Sequence, residues 1–297
     1  MTYLETLQWG RVTLASAGID EHYLESEVLL CHAIGKNRAE LYARLSDRLP
    51  DDRAEAYKRL VKRRLTREPL AYITRRKEFF GLDFAVDARV LIPRPETEML
   101  VERAVGAVRE RFGGDGKRAV LADIGTGSGC VAIALAVHLP AARVYATDAS
   151  AGALAVAERN VRRHGVARRV TLLRGDLAEP LPELVDMLVA NLPYVLDGDY
   201  PGLAPELHHE PRDALLGGPD GTDAIARLLR SAPTKVKPDG ALLLEVNEAH
   251  ADTVADMARA AFPQATVRVW PDLAGLPRVV EVRREVTGLP AQWTVRR

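Results

Sequence analysis

Apolar residues in the middle of the chain form short continuous runs, separated by longer segments of mixed polarity. Such runs are typical of strands that are buried on both faces of a parallel sheet. We expect strands at 119–124, 143–147, 170–173 and 187–190. An alanine- and leucine-rich segment at 131–139 predicts a helix directly after the first strand. This alternation indicates an α/β fold.

The first part of the chain has a different pattern, with apolar residues at helical spacing. Leu4, Leu7 and Leu14 predict a first helix that Gly18 ends. A second helix is expected to begin at an Asp20 N-cap and to close at Gly35. Its predicted apolar positions are Leu24, Val28 and Cys31.

Two shorter signals complete this region. Asn37 is suited to start a third helix, and the acidic pair at 51–52 a fourth that runs to about residue 66. The segment from 79–84 through 90–91 then predicts two strands that form a hairpin. The expected organisation is a helical bundle at 1–75, a hairpin linker at 76–92 and an α/β domain at 93–297.

Three glycines stand between the first predicted strand and its helix, where residues 123–129 read Asp-Ile-Gly-Thr-Gly-Ser-Gly. Glycines let a backbone turn tightly and approach a ligand closely. A dinucleotide fingerprint would place its third glycine at position 130, where Cys130 stands. The spacing therefore favours a pocket for S-adenosylmethionine. The loop residues expected to hold it are Gly125, Thr126, Gly127, Ser128 and Gly129.

Acidic residues follow the next two strands. Asp148 is placed to accept both hydroxyls of a ribose, as a comparable acid does in dinucleotide folds. Asp176 is placed to meet an adenine amino group, with Leu177 covering the ring. Any single acid here also fits a helix cap or a surface charge. Together they follow the carboxyl ends of the strands, where open α/β sheets bind ligands.

The fourth strand ends in Asn191-Leu192-Pro193-Tyr194. An amide or exocyclic amino nitrogen is a poor nucleophile, because its lone pair is delocalised. The Asn191 carboxamide and the carbonyl of Leu192 can accept its two N–H bonds and hold it in line with a methyl donor. Pro193 keeps residue 192 extended, and Tyr194 offers a stacking ring. Asn191 is also expected to line the cofactor pocket. An ordinary Asn-x-Pro turn is the alternative.

The composition agrees with an ordinary globular enzyme. The chain has 297 residues, 47% of them hydrophobic and 28% charged, with a formal net charge of zero. No long apolar run and no signal peptide are present, which argues for a cytoplasmic protein and against membrane insertion or secretion. Cys31 and Cys130 have no metal-binding or redox spacing, so no metal site is expected. The neutral charge argues against stable nucleic-acid binding.

The charge is nevertheless uneven, because residues 53–77 contain ten Arg or Lys residues against Glu55 and Glu68. One interpretation is a solvated helix face. Others are a docking surface for an acidic protein partner and a nucleic-acid contact. The basic residues are Arg53, Lys58, Arg59, Lys62, Arg63, Arg64, Arg67, Arg75, Arg76 and Lys77.

Four segments resemble signatures of the PrmC/HemK family, which methylates the Gly-Gly-Gln glutamine of class 1 peptide-chain release factors. They lie at 90–98, 210–215, 217–221 and 272–280, and the first, with Pro-Arg-Pro-Glu-Thr-Glu, is the most specific. The resemblance implies a Rossmann-like class I methyltransferase domain with a seven-stranded, mostly parallel sheet. It also implies N5-glutamine methylation in translation termination, with a release factor recognised by the helical bundle.

One position departs from that family. Its usual motif is Asn-Pro-Pro-Tyr, so Leu192 predicts a slightly looser loop with the same chemistry. Asn-Leu-Pro-Tyr also resembles rRNA adenine dimethyltransferases, which leaves N6-adenine methylation of RNA or DNA as an alternative. A non-catalytic cofactor-binding adaptor is a third. Residues 94–98 have two interpretations, a structural staple or a set of polar groups beside the Asn191 loop.

Overall fold

The computed structural model of the chain describes residues 1–284. Its contacts define two compact units. The helical unit comprises Met1–Arg76, Val86–Ala88 and Leu203–His209, and the sheet unit holds the remaining described residues. The boundaries at 1–75, 76–92 and 93–297 stay predictions, and residues 285–297 of the last lie outside the described part.

The helical unit contains five α-helices: α1 (Tyr3–Ser16), α2 (His22–Ile34), α3 (Arg38–Tyr42), α4 (Asp51–Leu65) and α5 (Leu70–Thr74). Local signals set their ends. Gly35 closes α2 in the left-handed conformation, at φ 67°. Asn37 caps α3, and its side chain and that of Glu40 satisfy each other's backbone N–H groups. Both ends were predicted from the sequence, whereas the short α5 was not.

The buried faces of the first two helices differ from the prediction. Leu7 and Leu14 are buried, but Leu4 is exposed. In α2 the buried apolar residues are Leu29, Leu30 and Ala33. Of the predicted stripe, Leu24 is exposed, whereas Val28 and Cys31 are partly buried and Cys31 packs against the core of this unit. The fully buried face differs because α2 packs against both α1 and α4. The N-cap residue is Glu21 instead of Asp20, and it makes no side-chain capping bond.

Much of the basic segment is used inside the helical unit. Arg64 is buried and pairs with Glu25 and, at 2.9 Å, with Glu206. Arg67 donates to the carbonyl of Ala17 at 2.8 Å and also reaches Glu206. Arg63 pairs with Glu68, Lys58 with Glu55 and Arg53 with Asp52. These contacts favour a structural role for part of the segment, and the acidic-partner surface stays a prediction.

The hairpin lies earlier in the chain than predicted. Its strands are β1 (Arg76–Phe79) and β2 (Leu82–Ala85), and residues 90–91 belong to no strand. The turn between them has positive φ at both Phe80 and Gly81, as a tight hairpin turn requires. The apolar residues at 79–84 therefore span a turn as well as strands.

The sheet unit is built on seven strands: β3 (Val120–Ile124), β4 (Arg143–Asp148), β5 (Val170–Arg174), β6 (Val185–Ala190), β7 (Val236–Glu245), β8 (Ala265–Pro271) and β9 (Pro277–Arg284). Their spatial order is β5-β4-β3-β6-β7-β9-β8. Within the described sheet, β9 runs antiparallel to both of its neighbours, β7 and β8, and the other paired strands are parallel. This confirms the predicted mostly parallel sheet with an antiparallel edge. Because β3 lies between β4 and β6, the order reverses there, which is where such sheets bind ligands.

Helices cover both faces of this sheet: α6 (Thr97–Phe112), α7 (Cys130–His138), α8 (Ala151–Arg163), α9 (Asp223–Ser231) and α10 (Ala251–Ala261). Short 3₁₀ helices occur at Asp197–Gly202, Pro205–His209, Arg212–Ala214, Ala232–Thr234 and Glu248–His250. Alternate strand residues enter two separate cores, with Leu121 in one and Ala122 in the other. Within residues 1–284, no helix has the length and apolar character needed to cross a bilayer.

Candidate active site

The glycine loop after β3 is held by its own strand ends. The N–H groups of Gly125 and Thr126 both donate to the carbonyl of Thr147, at 3.0 and 2.9 Å. Asp123 accepts from the Thr126 hydroxyl at 2.6 Å and from the amide of Ala132 at 3.1 Å. Burial raises the pKa of Asp123 to about 6, against the effect of those two bonds. Asp123 thus ties the loop to α7, a role that its place at a strand end could have suggested.

The three glycines of this loop have positive φ values of 73°, 55° and 82°. A Cβ at Gly125 would lie 3.0 Å from Leu192 Cδ2, and one at Gly129 would lie 3.1 Å from Ile133 Cδ1. A Cβ at Gly127 would meet nothing within 4 Å. The outer glycines therefore allow close packing, while the middle one presents open backbone that a ligand can approach.

Asp148 lies beside that open backbone, and its ribose contact stays a prediction. Its Oδ2 accepts from the Gly127 amide at 2.9 Å and its Oδ1 from the Ser150 amide at 2.8 Å. Burial raises the pKa of this carboxyl above its ordinary value. Each carboxylate oxygen has a further lone pair, so both can still accept hydroxyl groups of a ligand.

Asp176 and Leu177 follow β5. The carboxylate of Asp176 is half exposed and pairs with Arg227 of α9. Leu177 has a positive φ of 45°, and its carbonyl accepts from the Thr147 hydroxyl at 2.8 Å. The hydrogen bond from Thr147 brings Leu177 to the end of β4, close to the glycine loop. The adenine contacts of both residues remain predictions.

Asn191 is anchored to a residue far away in the chain. Its Nδ2 donates to Thr97 Oγ1 at 2.9 Å, and Thr97 is buried at the first position of α6. The amide nitrogen is thereby directed to the protein, and Oδ1 is the carboxamide atom left to accept from a substrate. Thr97 belongs to the Pro-Arg-Pro-Glu-Thr-Glu segment. The interpretation that placed polar groups of residues 94–98 beside the Asn191 loop agrees with this bond, although it did not single out Thr97.

Leu192 and Tyr194 continue the loop. The Leu192 side chain is 4% exposed and packs in the same core as Ile124 and Ala190. This packing anchors the loop and gives no support to the looser conformation expected at this position. Burial raises the pKa of the half-buried Tyr194. The chain after Tyr194 is held by the Val195 amide, which donates to the carbonyl of Leu215 at 2.9 Å.

Two of the signature segments, 90–98 and 210–215, contact each other beside this loop. Glu210 is buried and accepts from the Ile92 amide at 2.9 Å and from Arg94 Nη2 at 2.5 Å. Glu98 accepts from the amide of Phe80 in the hairpin turn, at 2.9 Å. The segment at 94–98 therefore has both features considered from the sequence, a structural staple and a polar group beside the Asn191 loop. Arg94 and Glu98 staple it to its surroundings, and Thr97 contacts Asn191.

A further acid, Glu245, lies at the carboxyl end of β7 and was not singled out from the sequence. Its side chain is 1% exposed, and burial raises its pKa to about 7. It lies beside the Thr97 hydroxyl, which acts to lower that pKa. The available signal was the one that identified Asp148, an acid directly after an apolar strand. Among residues 1–284, no group of His, Cys, Asp or Glu side chains is arranged to hold a metal ion.

Solved structures show the same fold. A methyltransferase from Pyrococcus furiosus is 18% identical with a TM-score of 0.50, and the match covers 71% of this chain and 92% of that one. The catalytic domain of hMettl16, solved in complex with the MAT2A 3'UTR hairpin 6, is 14% identical with a TM-score of 0.55. That match covers 75% of this chain and 82% of the other.

Sequence comparisons identify the family. Residues 5–74 match the PrmC N-terminal domain, and residues 108–196 match ribosomal protein L11 methyltransferase (PrmA). A release factor glutamine methyltransferase of Moorella thermoacetica is 44% identical over 96% of this chain and 100% of its own length. The protein of that name from Geobacter sulfurreducens is 42% identical over 94% of this chain and 95% of its own. The chain therefore belongs to the release factor glutamine methyltransferase family.

Proposed function

We propose that this protein transfers a methyl group from S-adenosylmethionine to the side-chain nitrogen of the Gly-Gly-Gln glutamine in class 1 release factors. The observation that carries the proposal is the orientation of Asn191. Its Nδ2 donates to Thr97, which leaves Oδ1 as the carboxamide atom that can accept from a substrate N–H. We propose translation termination as the process served and the cytoplasm as the compartment.

The glycine loop at 125–129 and the acids Asp148 and Asp176 are suited to hold S-adenosylmethionine. The open side of Gly127 offers room for it, and Asp148 offers two acceptor oxygens for the ribose. Gly125, Thr126, Ser128 and Gly129 complete the loop, and Asp176 and Leu177 are proposed for the adenine. When bound, S-adenosylmethionine supplies an electrophilic methyl group on its sulfonium sulfur.

The residues at 191–194 act on the nucleophile. A primary amide has two N–H bonds, which Asn191 Oδ1 and the Leu192 carbonyl accept. These two bonds fix the nitrogen in one orientation and favour the positive charge that develops on it. The buried Leu192 side chain holds its carbonyl in place, and Tyr194 provides a ring beside the amide. The alkylated nitrogen is acidic enough to release its proton to water, so no strong base is required.

The test is mass spectrometry of a purified class 1 release factor after incubation with the protein and S-adenosylmethionine. We expect a gain of one methyl group on the glutamine of its Gly-Gly-Gln motif. A release factor whose glutamine is replaced by glutamate is the control, because it lacks the nucleophilic nitrogen. Methyl transfer to an adenine of RNA or DNA, with none to the release factor, would contradict the proposal.

A further inference from the structure

Glu245 is a buried acid that the fold does not require. It ends β7, where residues 242–244 are leucines in the core, and its pairing with Val279 of β9 belongs to the backbone ladder. Neither Oε1 nor Oε2 makes a hydrogen bond of good geometry to a described residue. A buried carboxyl without full partners lowers stability. An apolar residue of similar size would suit this position better, which points to a functional reason for the acid.

The cationic neighbours of Glu245 are engaged elsewhere. Arg94 pairs with Glu210, and Arg278 pairs with Asp272 at 3.1 Å. Both act on Glu245 through space only, as does the negative charge of Glu96. Tyr194 and Cys130 sense its charge as well. The hydroxyl of Thr97 also lowers the pKa of this carboxyl, so it is a donor beside Glu245 even though the bond between them lacks good geometry.

The Thr97 hydroxyl has one proton and also accepts from Asn191 Nδ2. An ionised carboxylate can only accept, so a Thr97 hydroxyl that turns its proton to Glu245 directs that proton away from Asn191. Thr97 Oγ1 can then only accept from Asn191, so the Asn191 amide must turn its Nδ2 toward Thr97. Without an acceptor at position 245, the same proton could turn to Asn191 and favour its flipped amide.

We propose that Glu245 is a positioning residue for methyl transfer, which through Thr97 keeps Asn191 Oδ1 directed at the substrate amide. This inference rests on the proposed function, because it deepens the role of Asn191. Glu245 does not contact the substrate. It determines which of the two similar ends of the Asn191 carboxamide faces the reaction.

The test compares full-length Glu245→Met and Glu245→Gln with the wild-type protein in the release factor methylation assay. Methionine keeps the length of the side chain and removes the acceptor. We expect kcat to fall roughly 10-fold or more above pH 8, with little change in KM for S-adenosylmethionine. The Met variant should also unfold at a higher temperature than wild type, because a buried polar group without full partners is gone.

Glutamine offers a donor as well as an acceptor, so Thr97 is no longer held one way. We expect Glu245→Gln to have a rate between those of the wild type and the Met variant. Its kcat should lack the rise near pH 7 that ionisation of Glu245 gives the wild type, and below that pH the two rates should converge. A purely structural acid would leave the difference between the two pH profiles flat.

Glu281 provides the matched control, as a second buried glutamate on the adjacent strand β9. It accepts from Trp270 Nε1 at 2.6 Å and from Arg283 Nε at 2.5 Å. Glu281→Met should therefore lower the unfolding temperature and keep kcat near the wild-type value. We therefore expect Glu245→Met to raise the unfolding temperature and lower kcat, and Glu281→Met to lower the unfolding temperature and leave kcat unchanged.

A second measurement needs no substrate. The side-chain amide protons of Asn191, followed by NMR, should show a hydrogen-bonded Nδ2 in the wild type and lose that signature in Glu245→Met. If the Met variant keeps both the wild-type kcat and the Asn191 signals, the inference is overturned. If the wild type methylates no release factor, the proposed function fails, and the Asn191 signals still decide whether Glu245 orients this side chain.

Discussion

Asn191 and Thr97 lie 94 positions apart in the chain and share a hydrogen bond of 2.9 Å, from Nδ2 to Oγ1. The bond joins the loop after β6 to the first turn of α6. It also determines which end of the Asn191 carboxamide can accept from a substrate. Removing either partner should therefore affect the reaction more than the binding of the cofactor.

Asn191→Ala removes the acceptor itself. We expect methylation to slow by ~10²-fold or more, as loss of one oriented polar group typically does. The Kd for S-adenosylmethionine, measured by calorimetry, should stay near the wild-type value. Equal losses in binding and rate would show that Asn191 serves mainly the cofactor.

Thr97→Val keeps the shape of the side chain and deletes its hydroxyl. We expect kcat to fall roughly 10-fold, because the Asn191 amide is no longer held in one orientation. Thr97→Ser keeps the hydroxyl and should restore most of the rate. In the double variant with Glu245→Met, the two losses should not add, since both act through the same bond. Additive losses would separate Glu245 from Thr97.

Asp148→Asn tests the ribose contact. The substitution removes the charge of an acceptor beside Gly127, and we expect the Kd for S-adenosylmethionine to rise roughly 10-fold. Asp176→Asn is the comparison, and its effect should be smaller because its carboxylate is half exposed and shared with Arg227. A larger effect at Asp176 would reverse the proposed assignment of the two acids.

Leu192→Ala should destabilise the sheet unit, because the side chain is 4% exposed and packs in the core. We expect a loss of about 2–4 kcal/mol in the free energy of unfolding, measured with denaturant. Leu192→Met, which conserves volume, should cost less than about 1.5 kcal/mol. An equal and small effect of both would mean that the loop does not depend on this packing.

The free energy of unfolding should fall as the pH rises from 4.5 to about 7, because burial raises the pKa of Glu245. Burial raises the folded-state pKa of Glu245 to about 7, above its ordinary 4.5, so the folded protein binds this proton more tightly than the unfolded chain. The stabilisation that this proton gives the folded state is therefore complete below pH 4.5 and is lost as the pH rises to about 7. Between these values, Glu245→Gln should lose about 1–3 kcal/mol less stability than the wild type. Denaturant unfolding of both proteins at several pH values provides the measurement.

The elements that the sequence predicted well are those encoded by adjacent residues. The strand before Gly125, the cap at Asn37 and the end of α2 at Gly35 each depend on a few neighbouring positions. The face of α2 was predicted only in part, because two partner helices, α1 and α4, determine which residues are buried. Within the site, the glycine loop and Asp148 came together as expected. Thr97, Glu210 and Glu245 were not assigned roles, because their partners are distant in the chain.

The presence of Leu203–His209 in the helical unit limits how this protein can be divided. Glu206 in that segment pairs with Arg64 and Arg67, so a fragment ending at residue 76 would leave buried Arg64 with Glu25 alone. The helical unit is consequently discontinuous in the sequence, so one exchange of the N-terminal segment does not transfer all of it. A chimera that exchanges this unit should transplant 86–88 and 203–209 together with the N-terminal helices.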